Sequence, residues 1–315
     1  MTVKTDRLVT LFGGGGFVGR YVVQALHAQG ARVRIASRTP ERAWFLKPLG
    51  GLGQTQFARA DIADPASVAV AVAGADAVIN LVGILKGRFQ AVHVDGARNV
   101  AEAAAAAGAS ALVQVSAIGA DPESASAYGR SKGEGEAAAR AAFPGATILR
   151  PSILFGPEDD FVNKFARMAQ WLPALPVIRG DWKVQPLFAA DLGKVVAAAA
   201  LDPAAHGGRT YELGGPQATT MRALNQWVVE ATGRRRAVFD IPDAIGRPMV
   251  RLTGWAPGAP MTWDQWLMLQ QDNVADPALP GIDAFGIRPM PLAAVADSWL
   301  SPYRRNGRFG MPAAG

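Results

Sequence analysis

The chain has 315 residues, half of them hydrophobic by type, which is enough for one large core or two unequal ones and too apolar for a disordered polyelectrolyte. Its 32 basic residues exceed the 26 acidic ones by six, a modest excess compatible with an anionic surface; Arg234-Arg235-Arg236 is the one strongly basic tract, so nucleic acid is not indicated. The lack of cysteine excludes a disulfide framework, a thiol nucleophile and a thiolate metal site, and no metal site of another kind is expected.

The opening, MTVKTDRLVTLFGG, has neither the apolar run nor the small-residue cleavage site of a signal peptide, and none is expected. LVTLF (8–12), RVRIA (32–36), AVINLV (77–82), ALVQVS (111–116) and ATILRPS (146–152) read as strands, with a further strand before RADIAD. Helical stretches fall between them at 17–29, 65–73, 93–107 and 128–142. Such alternation predicts a parallel sheet covered by helices on both faces, which suits the near-continuous apolar strands. Residues 66–85 are apolar enough to suggest a membrane span. Gly74, Asp76 and Asn80 interrupt the run, however, so it reads as a helix end, a turn and a buried strand.

After Pro151 the texture changes. FVNKFARMAQWL reads as a helix, LPALPV as a proline-punctuated loop, and KVQPLFAADLGKVV as a strand leading to a helix capped by Asp191. Later helices are expected to start near Thr220, Asp243, Thr262 and Pro291. Thr262 and Gln265 have capping-box spacing, and Pro291 suits a first helical turn. The tail after Arg304 is expected to be loosely held. The predicted architecture is α/β: a doubly wound parallel sheet over residues 1–155 and a smaller, mainly helical domain over 156–315. Part of 183–215 is expected to return to the sheet.

The first strand runs into GGGGFVG, where Gly13, Gly16 and Gly19 have the G-x-x-G-x-x-G spacing. Glycine there lets the backbone turn tightly and approach a pyrophosphate, whose charge meets the N-terminus of the next helix. The spacing alone is a weak signal; the strand before it and helix after it make it a strong one. At the end of the second strand an acidic residue would bind the ribose hydroxyls of NAD. IASRTPER instead places Ser37 and Arg38, whose hydroxyl and guanidinium suit the 2′-phosphate of NADP(H). The plain alternative for Arg38 is a solvated loop arginine. Asp61 either accepts a hydrogen bond from an adenine amino group or caps the helix after Asp64-Pro65. Gly83, after the fourth strand, lets the chain pass close to a cofactor.

Tyr128 and Lys132, in AYGRSKGE, stand four apart and share a helix face. An ammonium beside a phenol lowers its pKa and fits it for proton transfer, and the same lysine can donate to a nicotinamide ribose. A reductase also needs a hydroxyl on the substrate carbonyl. Ser116 closes the fifth strand, Ala117 follows it, and Ser124 and Ser126 lie close by in sequence.

Taken together, GGGGFVG, Arg38, Tyr128-x-x-x-Lys132 and RPSILFGPED resemble the extended and atypical short-chain dehydrogenase/reductase superfamily. LKPLGGLGQTQF (46–57), VINLVG (78–83), FPGATILRPSILFGPEDDFVNKFA (143–166), VQPLFAADLGK (184–194) and LPGIDAFGI (279–287) are similar to one branch, the nucleotide-binding accessory subunit of respiratory complex I. That resemblance implies a subunit that holds NADPH tightly without known turnover. It implies a place on the cytoplasmic side of a bacterial inner membrane, against the peripheral-arm and quinone-site subunits of NADH:ubiquinone oxidoreductase. By motif position it also implies that Phe17 and Val18 join Gly13, Gly16, Arg38, Asp61, Gly83, Tyr128 and Lys132 around the cofactor. Pro151 and Ile153 would flank its nicotinamide end. The chain keeps both Tyr128 and Lys132, which leaves turnover open.

Seven of the eight tryptophans follow residue 150, and Trp255, Trp263 and Trp266 cluster near Arg247 and Arg251. That combination suits an interface or a membrane headgroup layer; core packing is the competing reading. Three functions follow: an accessory subunit whose NADPH is structural, a stand-alone NADPH-dependent reductase or epimerase, and a module that reports NADPH level to a partner. For a nucleotide-sugar substrate of the second, Lys164, Arg167, Arg179 and Lys183 are the candidate diphosphate ligands.

Overall fold

The computed structural model describes residues 6–256, 259, 261–305 and 307. The chain forms two compact units, the first made of Met1–Pro151, Ala189–Leu213 and Asp276–Arg288, the second of Ser152–Phe188, Gly214–Ala275 and Pro289–Gly315.

In the first unit, strands β1 (Leu8–Phe12), β2 (Arg32–Ser37), β3 (Thr55–Arg59), β4 (Ala77–Asn80), β5 (Ala111–Val115) and β6 (Thr147–Pro151) alternate with helices α1 (Phe17–Ala28), α2 (Pro65–Val72), α3 (Gly96–Ala106) and α4 (Ala127–Ala142). The chain then passes through β7 (Leu154–Phe155), α5 (Val162–Trp171), β8 (Ala174–Ile178), β9 (Lys183–Val184) and β10 (Leu187–Phe188) of the second unit. It re-enters the first as α6 (Ala189–Leu201), α7 (Pro203–His206) and β11 (Thr210–Leu213). The sheet order is β11-β6-β5-β4-β1-β2-β3, and every pairing in it is parallel. Strand order reverses between β1 and β4, so the carboxyl ends of those strands open the crevice where such sheets take ligands. All five residues of β1 are buried, which is why LVTLF reads as a near-continuous apolar run, its one polar group, Thr10 Oγ1, donating to the Ala71 carbonyl.

The apolar stretch 66–85 resolves into the end of α2, a turn at Gly74 (φ +69°) and β4. Among the described residues no helix is long and apolar enough to cross a membrane. Two local expectations change. Asp191 does not cap its helix, which starts at Ala189; it lies buried in the first turn, 2.9 Å from Lys194 Nζ. LPALPV is largely strand: β8 pairs in parallel with β13 (Ala237–Ile241), and the prolines are tolerated because a two-stranded ribbon leaves each strand one open edge.

The second unit continues with β12 (Thr219–Thr220), α8 (Met221–Ala231), β13, α9 (Asp243–Thr253), α10 (Trp263–Met268), α11 (Leu292–Val295) and α12 (Asp297–Leu300). Its core gathers Phe155, Val162, Ala166, Val228, Trp299 and Leu300. Thr262 and Gln265 close a reciprocal capping box on α10. Pro291 is the residue before α11 rather than its first turn. Most of the tail after Arg304 lies outside the described residues.

Candidate functional site

Most of the sequence-predicted residues of the first unit follow a strand of one sheet at its carboxyl end, while Tyr128 and Lys132 stand on α4, with Lys132 tied to the end of β5. After β1, Gly13 takes φ +80°, and a Cβ there would meet the Val82 backbone nitrogen at 3.2 Å. Its carbonyl accepts the Gly16 N–H at 3.1 Å, closing the turn. Gly16 is the residue before α1, and no side chain caps that helix. The first N–H groups of α1, from Phe17, Val18 and Gly19, therefore have no side-chain acceptor and face the start of the helix. A Cβ on Gly19 would collide with the Gly14 backbone, so this glycine sets the close approach of helix and loop.

At the next strand end, Ser37 has a buried Oγ with no hydrogen-bond partner, and Arg38 is exposed. Ser37 sits opposite Arg59 in the β2–β3 register, and Arg59 Nε donates to the Arg38 carbonyl at 3.3 Å. Arg59 thus brings a second guanidinium to the backbone of Arg38. Sequence reading missed it because its significance depends on the register of β3. Asp61 spends one carboxylate oxygen on the Ala63 N–H at 3.0 Å, while Asp64 caps α2 through the Ala66 N–H. Of the two roles considered for Asp61, helix capping belongs to Asp64.

Beyond β4, Gly83 lies where an added Cβ would come within 3.8 Å of His93 and 3.9 Å of Lys132. His93 was not foreseen as a site residue. It sits in a π-helical turn, Gln90–Asp95, a rare conformation enriched at functional sites. Its Nε2 accepts the Ile84 N–H at 3.0 Å, which makes Nδ1 the protonated nitrogen, able to donate to Ser131 Oγ at 2.8 Å. Ser131 in turn donates to the Tyr128 carbonyl at 2.9 Å. Burial, reinforced by Lys132, lowers His93 to about 4, so the ring is neutral. Its face packs on Phe89 and its edge on Tyr128, with centroids 5.3 and 5.5 Å apart. The chain from Ile84 through His93 and Ser131 to Tyr128 ties the loop after β4 to the start of α4.

Lys132 is buried and donates from Nζ to the Val115 carbonyl at 2.9 Å. Burial lowers its pKa to about 8, against the opposing pull of Glu136. Tyr128 behaves contrary to expectation: burial pushes its phenol up to about 12 instead of a nearby ammonium drawing it down. The difference has a physical reason, because the Lys132 ammonium is directed at a carbonyl and removal of water disfavours phenolate. Ser116, next after Val115, is buried, and its Oγ has no hydrogen-bond partner. Ser126 is used as the cap of α4, accepting the Gly129 N–H, and Ser124 Oγ accepts the Ser126 N–H at 3.3 Å. Of the three candidate serines, Ser116 alone is left with an unspent buried hydroxyl.

Pro151 closes β6, and its carbonyl accepts the Ile118 N–H at 3.2 Å. Ile153 belongs to the second unit, where its N–H donates to Asn273 Oδ1 at 2.9 Å and its side chain packs with Val177, Val184 and Leu224. Among the proposed diphosphate ligands, Arg179 is already engaged by Gln270 at 2.8 Å and Asp243 at 3.5 Å. Of the tryptophan cluster, Trp255 is 81 % exposed and Trp266 only 3 %. Trp266 is therefore core, its ring pressed on Gly246 of α9, and is corrected from the proposed surface. Trp263 is half-buried, with the Arg251 guanidinium 5.7 Å from its ring centre.

The glycine cradle, the uncapped start of α1 and the unspent hydroxyls of Ser37 and Ser116 fit a phosphorylated dinucleotide. Residues 13–161 match the NAD(P)H-binding family model, and the unit is an NAD(P)H-binding domain. The chain is 34% identical over 305 residues to NADH dehydrogenase (ubiquinone) 1 alpha subcomplex subunit 9, mitochondrial, of Mus musculus, covering 94% of this chain and 80% of that protein. It is 30% identical over 310 residues to the NADH-ubiquinone oxidoreductase 40 kDa subunit, mitochondrial, of Neurospora crassa, with 97% and 82% covered. Among solved structures it shares its fold with an NADPH-dependent quinone oxidoreductase of Escherichia coli. There the TM-score is 0.72 at 22% identity, over 93% of this chain and 99% of that one.

Proposed function

The chain belongs to the family of NADH dehydrogenase (ubiquinone) 1 alpha subcomplex subunit 9, and on that premise we propose that it is an NADPH-holding accessory subunit of respiratory complex I whose dinucleotide serves chiefly to stabilise the fold. The observation that carries this reading is the span of the similarity, which runs through both compact units rather than the nucleotide-binding one alone. Gly13, Gly16, Phe17, Val18 and Gly19 hold the pyrophosphate. Ser37, Arg38 and Arg59 meet the 2′-phosphate, and Asp61 lies toward the adenine. Gly83, Ser116, Tyr128, Lys132 and Pro151 serve the nicotinamide end.

A ligand that binds only the native state stabilises it by mass action, by about 2.7 kcal/mol at a hundredfold excess over its dissociation constant. The state of the pair supports holding over turnover. A phenol that burial pushes up to about 12 is a weaker proton donor than an ordinary tyrosine, and a lysine bonded to the Val115 carbonyl is not spent on lowering it. The partners are the peripheral-arm and quinone-site subunits, on the cytoplasmic side of a bacterial inner membrane. The docking face is the outer side of α9 and the turn after it. There Ile245, Leu252 and Trp255 are 60, 72 and 81 % exposed, with Arg247 and Arg251 beside them.

The test is to tag the protein in its own cells, solubilise membranes gently, and identify both the co-purifying subunits and the bound nucleotide. Co-migration with NADH:ubiquinone oxidoreductase, with NADPH bound, is expected. A free protein would move the assignment to the second reading.

That second reading, an NADPH-dependent reductase or epimerase, is favoured by one observation, the buried and unspent Ser116 hydroxyl on the residue after Val115. A bound NADPH supplies hydride; Ser116 would orient a substrate carbonyl and Tyr128 would hold the proton.

A further inference from the structure

The second unit carries a concentration of positive charge that the nucleotide site does not use. Helix α8 ends in a Schellman turn: Gly233 adopts φ +62°, its N–H donates to the Glu230 carbonyl at 2.8 Å, and the Arg234 N–H donates to the Val229 carbonyl at 3.1 Å. This turn fixes the backbone from which Arg234, Arg235 and Arg236 project. With Arg305 and Gly233 they line an open cavity of about 560 Å³, and four of its five described lining residues are arginines.

Two of the arginines are held by backbone carbonyls, Arg234 Nε by Tyr303 at 3.1 Å and Arg236 Nε by Ala169 at 3.3 Å. Neither contact neutralises a charge. Among the described residues none of the four makes an ion pair; the nearby Asp297 is paired with Arg304 at 2.8 Å. The arginines feel one another, since burial and the charges of Arg236 and Arg305 all lower the Arg234 pKa. The partial negative charge of a helix C-terminus weakly favours a neighbouring cation within the last turn and does not account for four.

Guanidiniums gathered at one cavity, with no carboxylate among its described lining residues, match a multiply charged oxyanion, which each can bind through two parallel hydrogen bonds. We propose that this cavity is a binding site for a phosphate group, held by Arg234, Arg235, Arg236 and Arg305. The site lies in the second unit and is independent of the dinucleotide reading. The phosphate belongs either to a soluble phosphorylated ligand or to an anionic phospholipid headgroup. Trp171, two residues past Ala169 and 85 % exposed, is the residue type expected beside a headgroup site.

The experiment uses the full chain with excess NADPH, so that the glycine loop is occupied. Binding of inorganic pyrophosphate is measured by calorimetry, and binding to phosphatidylcholine vesicles with and without phosphatidylglycerol by flotation. Arg235→Gln with Arg305→Gln removes the two arginines that hold no backbone carbonyl among the described residues, so the fold should survive; retained NADPH binding checks it. Arg98→Gln with Arg288→Gln removes the same net charge at exposed positions elsewhere.

Pyrophosphate binding weakened at least tenfold by the first pair and unchanged by the second would support the site and assign a soluble ligand. The same pattern with phosphatidylglycerol vesicles alone would support it and assign a headgroup. Equal losses for both pairs, or no binding of either probe by the unaltered protein, would overturn it.

Discussion

Lys132 donates its ammonium to the carbonyl oxygen of Val115 at 2.9 Å, joining the middle of α4 to the end of β5 one residue before Ser116. A buried cation in this position has lost its water and gained one carbonyl, so its remaining N–H groups are available to a ribose hydroxyl. Replacing it, Lys132→Met, should weaken NADPH binding by about 2 kcal/mol, roughly thirtyfold, the loss expected for hydrogen bonds to a charged donor. The unliganded fold should change by less than about 1 kcal/mol, because the lost bond is offset by no longer burying a charge. Fluorescence titration and urea unfolding measure the two effects. Unchanged affinity would remove Lys132 from the site.

His93 sets an acid limit on the fold. Its folded pKa of about 4 lies below its ordinary 6.5, so between those values the unfolded chain binds the extra proton. Stability from this residue is therefore fully present above about pH 6.5 and is lost as pH falls toward 4, with a ceiling of about 3 kcal/mol. Protonation would also forfeit the Ile84 N–H bond to Nε2. Urea midpoints between pH 4 and 7 should fall steeply for the unaltered protein and less so for His93→Gln. Parallel slopes would contradict the assignment.

Arg38 and Arg59 should decide the cofactor. Arg38→Ala with Arg59→Ala is expected to weaken NADPH at least tenfold and leave NADH within about twofold, because only NADPH carries the 2′-phosphate. Dissociation constants for both nucleotides test this; equal losses would mean the arginines serve the fold alone.

Glu136 is buried and accepts two bonds from Arg150, at 2.9 and 2.8 Å, while Arg150 also reaches Glu212 on β11 at 3.4 Å. Glu136→Gln weakens the link between α4 and β6 and should cost about 3 kcal/mol, within the range for unpairing a buried ion. Urea denaturation reads it, and a cost below about 1 kcal/mol would place the pair in effectively wet surroundings.

The two tryptophans should separate cleanly. Trp266→Ala empties a core position and should cost about 3–5 kcal/mol. Trp255→Ala should stay within about 0.5 kcal/mol in the isolated protein while weakening association with the complex. Thermal unfolding and co-purification distinguish them; assembly unaffected by Trp255→Ala would count against α9 as a docking face.

The α/β sheet was legible in the sequence because strands covered on both faces leave near-continuous apolar runs, and the glycine spacing after LVTLF marks the first turn. The places of Gly13, Ser37 and Gly83 at the ends of β1, β2 and β4 were legible because one strand end determines each. What escaped depends on partners far along the chain. Arg59 gains meaning from its register with Ser37, and His93 from Ser131, 38 residues away. β8 was hidden because its proline signature suggests a loop until β13 pairs with it. The Tyr128 pKa could not be read from a four-residue spacing, because burial decides its direction.

The most direct test compares cells carrying Tyr128→Phe with cells carrying Gly13→Val, each as the sole copy, by quantifying assembled NADH:ubiquinone oxidoreductase and its NADPH content. A side chain at Gly13 would crowd the Val82 backbone from a left-handed conformation, so that variant should lose the nucleotide and assemble poorly. Tyr128→Phe removes only the hydroxyl and should assemble with NADPH bound and normal NADH oxidation. Full assembly of a nucleotide-free Gly13→Val protein, or a Tyr128→Phe complex that forms with its NADPH yet is inactive, would contradict a structural role for the cofactor.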